Sequence, residues 1–300
     1  MKIFDCFQFF DEEMLLDLRL NMLYKYVDRF VIVEATYKHN GEPKKLIFDI
    51  NKFSKFKDKI TYIVADNPSD NLLEINNYDS IELRESKKIS NAYRREGNQV
   101  QKILKGIQEA EPDDIIITSD LDEIPNLEEI DFNIINKKLI FFKQKMFYYK
   151  LNLFYSEMPW YGSKACKKKY FKSPLWIRWI KNKKYPFWRL DILFSNKKYK
   201  DIYYVENGGW HFTNIKSPKN IEKKLLSFVH HHDFEKSGLK LEDLKQIISE
   251  KRVMYDHSKD KKGFKWGKGK KLHTIHINKM PKYISKNIDR YKSWLDLDNK

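Results

Sequence analysis

The sequence predicts an α/β protein built on a mostly parallel sheet with helices on its faces. Three observations carry this. In the first 126 residues, short apolar runs rich in β-branched residues alternate with longer amphipathic stretches, the pattern left by parallel strands and crossover helices. Three of those runs, Phe30–Val33, Ile60–Val64 and Ile115–Thr118, stop at or near an acid. Hydrophobic residues make up 41% of the chain and aromatics 15%, enough for a packed core.

Taken in order, Met1–Phe10 reads as the first strand, and Asp11 as the cap of a helix over Glu12–Val27. Leu15, Leu18, Met22 and Tyr26 recur there at helical spacing. Phe30–Val33 is a buried strand running into Glu34, followed by a loop that turns at Asn40-Gly41. Ile60–Val64 is a third strand, ending near Asp66. A long helix over Ser86–Ala110 carries Arg94, Arg95, Glu96 and Gln99. Ile115–Thr118 is too short and too β-branched for a helix, and turn chemistry bounds it on both sides, so it reads as an interior strand.

The second half changes character. Leu139–Leu151 is strand-like. The stretch 160–193 is dense in aromatics and bases, including Trp160, Tyr161, Trp176, Trp179 and Trp188. Ile202–Val205 reads as a strand, and Gly208-Gly209-Trp210-His211-Phe212 as a glycine-permitted turn. Helices are expected from Pro218 to about His231 and over Leu241–Tyr255, and the Lys- and Gly-rich run 259–271 as a mobile arm. No repeat or linker separates these parts. The expected organisation is a nucleotide-binding half over 1–126, an acceptor-side half over 127–258 and a basic extension over 259–300.

The chemistry centres on D-x-D-E, where Asp120, Asp122 and Glu123 follow the apolar strand. Most isolated D-x-D triplets are acidic surface turns. An interior strand feeding this one shifts the reading, because open α/β sheets bind ligands at the carboxyl ends of their strands. Carboxylates there suit Mg²⁺ or Mn²⁺ carrying a diphosphate, and arginine from Arg94 or Arg95 suits the phosphate oxygens. On the same logic Glu34 and Asp66 are expected at that edge. His211, between Trp210 and Phe212, is either a satisfied core histidine or a third metal ligand. The tryptophans suit either the core or the apolar face of a sugar.

Lys+Arg 58 against Asp+Glu 42 leaves +16, which fits a polyanionic or phosphorylated partner or a Lys-rich composition. Cys6 and Cys166 form no metal-like or paired spacing. The N-terminus lacks the basic start and long apolar core of a secretory signal, and no apolar run reaches the roughly 18 residues a membrane span needs. The expectation is a cytoplasmic protein.

Together these residues resemble glycosyltransferase family 17, the group of the bisecting β-1,4-N-acetylglucosaminyltransferase. The resemblance rests on D-C-F-Q-F-F-D-E-E-M-L-L-D-L-R-L at 5–20, V-D-R-F-V-I-V-E-A-T-Y-K-H-N-G at 27–41 and R-R-E-G-N-Q at 94–99. It continues through D-D-I-I-I-T-S-D-L-D-E-I-P at 113–125, M-F-Y-Y-K-L-N at 146–152 and G-G-W-H-F-T at 208–213. It implies a GT-A-like fold with a mostly parallel Rossmann-type sheet, an aromatic and basic acceptor-side half and C-terminal helices. It further implies Mn²⁺ or Mg²⁺ on Asp120 and Asp122, a UDP-sugar donor such as UDP-N-acetylglucosamine, and inversion at the anomeric carbon. Glu34, Asp66, Arg95, Gln99 and Asp120 would line the nucleotide half, and His211 would touch metal or phosphate. Where relatives carry H-x-E, this chain reads His230-His231-His232 with Asp233 one place late.

The expected activity is an inverting, metal-dependent transfer of GlcNAc or another hexose to a glycan or lipid-linked hydroxyl, with Glu206 or Glu123 as general base. A peripheral membrane contact, and no specific nucleic acid, completes the expectation. The alternatives are a nucleotidyl- or phosphotransferase using the same edge, or a non-catalytic basic protein binding a polyanion. The latter gains nothing from a row of acids at one sheet edge.

Overall fold

The computed structural model describes residues 1–186, 188–192, 194–228, 231–256 and 266–297. His230 and residues 259–265 of the basic run therefore lie outside the described residues, as does Leu193 at the end of the aromatic stretch.

The strands are β1 Ile3–Phe9, β2 Arg29–Ala35, β3 Ile60–Ala65, β4 Ile115–Asp120, β5 Glu123–Pro125, β6 Leu139–Phe142, β7 Gln144–Tyr148, β8 Leu153–Trp160, β9 Lys164–Lys167, β10 Ile202–Val205, β11 Gly209–Thr213 and β12 His273–Thr274. The helices used below are α1 Glu13–Leu23, α2 Ile81–Gln101, α3 Ile103–Gly106, α4 Pro174–Trp179, α5 Pro218–Ser227, α6 His231–Ser237 and α7 Leu241–Ser249. Seven strands form one sheet in the order β10-β6-β9-β4-β1-β2-β3, and five form a second in the order β12-β8-β7-β11-β5.

The fold is mixed α/β. In the larger sheet β9 runs antiparallel to both β4 and β6 while the other pairings are parallel, so the sheet is mixed. The β-branched run Ile115–Thr118 is wholly buried at its centre, as a strand covered on both faces must be. Leu139–Leu151 is not one strand: it breaks at Lys143, and β6 joins the larger sheet while β7 joins the smaller. The expected glycine turn is instead β11, whose first residue Gly209 sits at φ +118°, a left-handed value that favours glycine.

Boundaries shift elsewhere for local reasons. Asp11 does not cap α1; Glu12 precedes the helix without a side-chain cap, and Asp11 pairs with Lys216. The second helix starts five residues before Ser86, because the Ser80 hydroxyl accepts the Leu83 N–H at 3.2 Å. The helix begun at Pro218 stops at Ser227, and that begun at Leu241 stops at Ser249.

The two sequence halves interleave. Strands β6, β9 and β10 complete the larger sheet, while β5 pairs with β11 in the smaller. The C-terminal stretch is no appendage either. Met280, Ile284, Tyr291 and Leu295 are buried in the main core with Leu15, Leu18 and Phe212, and the Leu151 N–H donates to Trp294 O at 2.8 Å. Residues 266–271 pair back through Tyr255–Trp266 and Arg252–Lys271 bridges, so the described part of the expected arm is held down. Cys6 and Cys166 are buried and form no disulfide. No helix among the described residues is long and apolar enough to cross a membrane.

Candidate active site

A cleft that is partly open to solvent lies at the carboxyl ends of β1, β2 and β4. Gln8 to Phe10, Glu12, Ala35, Tyr37 to His39, Lys44, Glu96, Gln99, Asp120 to Asp122 and the α5 residues Lys224 and Ser227, with Phe228 just beyond, line it. The β4 acids thus reach the edge that strand geometry predicts.

The D-x-D loop is held from beneath by one fully buried side chain. Arg19 on α1 pairs with Asp5 on β1 through two bonds of 2.8 and 2.6 Å. Its Nη1 donates to the carbonyls of Asp120, Leu121 and Glu123 at 2.9, 3.1 and 2.9 Å, and Nη2 to Ser119 Oγ at 2.6 Å. Three carbonyls of the chain's turn after β4 are thereby satisfied. The sequence carried a signal for this. Arg19 falls four residues after Leu15 and four before Leu23, on a stripe whose other members are apolar.

Above that support the two aspartates diverge. Asp120 Oδ1 accepts from Arg178 Nη1 at 2.7 Å, and Arg178 also reaches Glu96 at 3.3 Å. Asp122 lies 3.7 Å from His211 Nε2 and 3.7 Å from Lys224 Nζ. The β5–β11 pairing makes this meeting possible, because it sets His211 opposite Glu123 and lets the Phe212 N–H donate to Asp122 O at 2.8 Å. His211 stacks on Trp160 with ring centroids 4.9 Å apart.

Charges across the cleft reinforce one another. Burial would raise the Asp122 pKa, but the charges of His211 and Lys224 outweigh it and hold the carboxylate well below its ordinary range. Burial works against the Lys224 ammonium, yet Asp122 and Glu12 hold its pKa above the ordinary lysine value. Glu12 is similarly held low: Lys216 and Lys224 outweigh the cost of burial. Lys224, Arg178, Glu12 and Glu96 are site residues that the sequence reading passed over.

The remaining sequence candidates separate into those that reach the cleft and those that do not. Gln99 lines it, donating to Val33 O at 3.2 Å and lying 3.3 Å from His39 Nε2. Arg95 stands behind the lining, with Nη1 donating to His39 O at 3.2 Å under the loop at Gly41. Glu34 does not face the cleft. Strand β2 continues one residue past it, and the buried carboxylate binds Lys44, the N–H groups of Ile47 and Phe48, and the Tyr62 hydroxyl. Asp66 follows β3, three strands from β4, and is exposed outside the lining. Glu206 follows the edge strand β10, is exposed and pairs with Lys143 at 2.6 Å, also outside the lining.

Glu123 turns inward. Its carboxylate accepts the Asp120 N–H at 2.7 Å and the Trp160 indole N–H at 2.5 Å, and burial beside Asp120 raises its pKa. Gly162 packs so closely on this carboxylate that an added Cβ would overlap it. Gly162→Ala is therefore expected to lose about 1–3 kcal/mol of stability through overpacking. Chemical denaturation checks this, and an unchanged midpoint would show that the Glu123 side chain can move aside freely.

A divalent ion is implied by the family resemblance, and the residues present fit one in part. Asp122 and His211 approach to 3.7 Å, too long for a hydrogen bond but compatible with two ligands of one ion. The other ring nitrogen, His211 Nδ1, is buried without a hydrogen-bond partner. Among the described residues no three His, Cys, Asp or Glu side chains converge, so an ion held here would take further ligands from water or phosphate, as Mg²⁺ commonly does.

The family model described as Glycosyltransferase family 17 matches residues 1–297. No curated protein and no solved structure matches the chain.

Proposed function

Because this chain belongs to glycosyltransferase family 17 and is therefore a glycosyltransferase, we propose that the cleft binds a nucleoside-diphosphate sugar and passes the sugar to an acceptor hydroxyl. The observation that carries the donor reading is the pairing of ionised Asp122 with Lys224 and His211 at the carboxyl end of β4. A UDP-sugar, a GT-A-like arrangement and inversion follow the family resemblance.

In this reading Asp122 and His211 would hold Mn²⁺ or Mg²⁺, with Asp120 as a further candidate ligand, and the ion would supply charge to stabilise the leaving diphosphate. Lys224, on the lining, acts on the same oxygens as a fixed cation, needing no rearrangement as charge develops, while Arg178 holds Asp120 and Glu96. Phe10, His39 and Phe228 offer rings for the base: Phe228 meets His39 at 5.4 Å and Phe10 at 6.2 Å between centroids, both edge-on. Gln99 orients His39. Since Glu206 and Glu123 lie off the lining, the proton acceptor is sought among Glu12, Glu96 and Asp120, which are on it.

The test is a thermal-shift series with Mn²⁺ against UDP-GlcNAc, UDP-Glc, UDP-Gal, GDP-mannose and UDP. A ligand at a hundredfold excess over its Kd stabilises by about 2.7 kcal/mol, a readily measured rise in Tm. The expected result is a metal-dependent rise with UDP species that Lys224→Met diminishes. No rise with any of them would sink the donor reading.

A further inference from the structure

We propose that the surface presented by the described residues of 172–200 docks on an anionic membrane surface, so that the acceptor is presented from a lipid. Four large apolar side chains of this segment are exposed to solvent: Trp179, Trp188, Leu190 and Phe194 are 59%, 66%, 68% and 89% exposed. They fall within a stretch of nine Lys and Arg residues and one acid, Asp191. That net of +8 is half of the chain's +16, carried by under a tenth of its length. The excess charge is therefore concentrated rather than spread by composition.

The bases of this face divide by role. Arg178 turns inward to Asp120 and Glu96. Asp191 engages Arg189 and Lys198. Lys181, Lys183, Lys184 and Lys197 remain exposed among the apolar side chains, and Lys197 lies 5.3 Å over the Trp179 ring. Exposed tryptophan, leucine and phenylalanine interspersed with lysine match the bilayer interface, where rings and aliphatic chains enter the headgroup boundary while ammonium groups meet lipid phosphates. A nucleic acid would use the lysines but gain nothing from an exposed leucine.

The face is mechanically joined to the site. Helix α4 carries Arg178 to Asp120 and, one residue later, Trp179 to the surface. A protein seated by Trp179 and its neighbours would hold the cleft beside the bilayer, within reach of a hydroxyl on a lipid-linked glycan. The acceptor part rests on the glycosyltransferase reading; the docking part does not.

The experiment is co-sedimentation of the full chain with vesicles of phosphatidylcholine alone and mixed with phosphatidylglycerol. The wild type is expected to partition onto the anionic vesicles and to be released by salt. The triple variant Trp188→Ser, Leu190→Ser, Phe194→Ser is expected to bind at least about ten-fold more weakly with an unchanged Tm. A second variant, Lys181→Glu, Lys183→Glu, Lys184→Glu, is expected to lose anionic selectivity. A wild type that ignores both vesicles, a serine variant that binds as the wild type does, or displacement from vesicles by a duplex oligonucleotide would each overturn the proposal. Vesicle binding that persists while no nucleotide sugar shifts the Tm would leave docking standing and remove the transfer reading alone.

Discussion

Asp122→Asn is expected to lower turnover by about 10²–10³-fold, the range seen when one preorganised electrostatic contact at a reacting centre is removed. The substitution keeps the side chain's shape and its place above the Arg19-held loop but removes the negative charge. That charge is what Lys224 and His211 face across 3.7 Å, and what would draw a divalent ion to His211. Without it Lys224 loses the carboxylate 3.7 Å away, and Glu12, 3.6 Å from Lys224, is left to balance the ammonium. Steady-state kinetics with the donor identified by thermal shift should show the loss chiefly in kcat, together with loss of the Mn²⁺-dependent Tm rise. Turnover close to wild type would remove Asp122 from the chemistry and move attention to Asp120 and Arg178.

The second large effect concerns stability. Arg19→Met is expected to cost about 3–5 kcal/mol, the usual consequence of deleting one partner of a buried ion pair. Both Arg19 and Asp5 are fully buried. The variant leaves the Asp5 carboxylate without its counter-charge and also strips a donor from the carbonyls of Asp120, Leu121 and Glu123. Methionine fills most of the volume, so the loss reports polar pairing more than a cavity. Urea unfolding of Arg19→Met, Asp5→Leu and the double variant separates the contributions. The double variant should recover part of the loss, because a well-packed apolar pair can replace a buried ion pair at little cost. A single-variant effect below about 1 kcal/mol would fall within the range of ordinary substitutions and show that water or repacking satisfies the loop instead.

Several features of the site were legible in the chain. An apolar β-branched run fixes Ile115–Thr118 as an interior strand, since two covered faces leave no polar positions, and the acids that follow must then emerge at its carboxyl end. Local pattern also placed Phe30–Val33 and Ile60–Val64 in strands and Pro218 at a helix start. Even Arg19 is visible as a charge on an apolar stripe, and Asp5 as an acid inside an apolar strand.

What the sequence left undetermined was strand order and neighbour choice, because both depend on contacts between residues far apart in the chain. The expectation that Glu34, Asp66 and Asp120 share one crevice treated β2, β3 and β4 as neighbours, whereas β1 and β2 stand between β4 and β3. Strand β2 runs one residue past Glu34, and the side-chain alternation of a strand then decides that Ala35 lines the cleft while Glu34 is buried under the Ile47–Phe48 backbone. Glu206 followed a correctly read strand, but that strand is an edge strand distant from β4. By itself the sequence determined the family resemblance, the strands β1 to β4 and β10, and the acids at the end of β4. Only tertiary packing decided that Arg178, Lys224 and His211 meet those acids, since they arrive from α4, α5 and β11, more than fifty residues downstream, and no local periodicity encodes such a meeting.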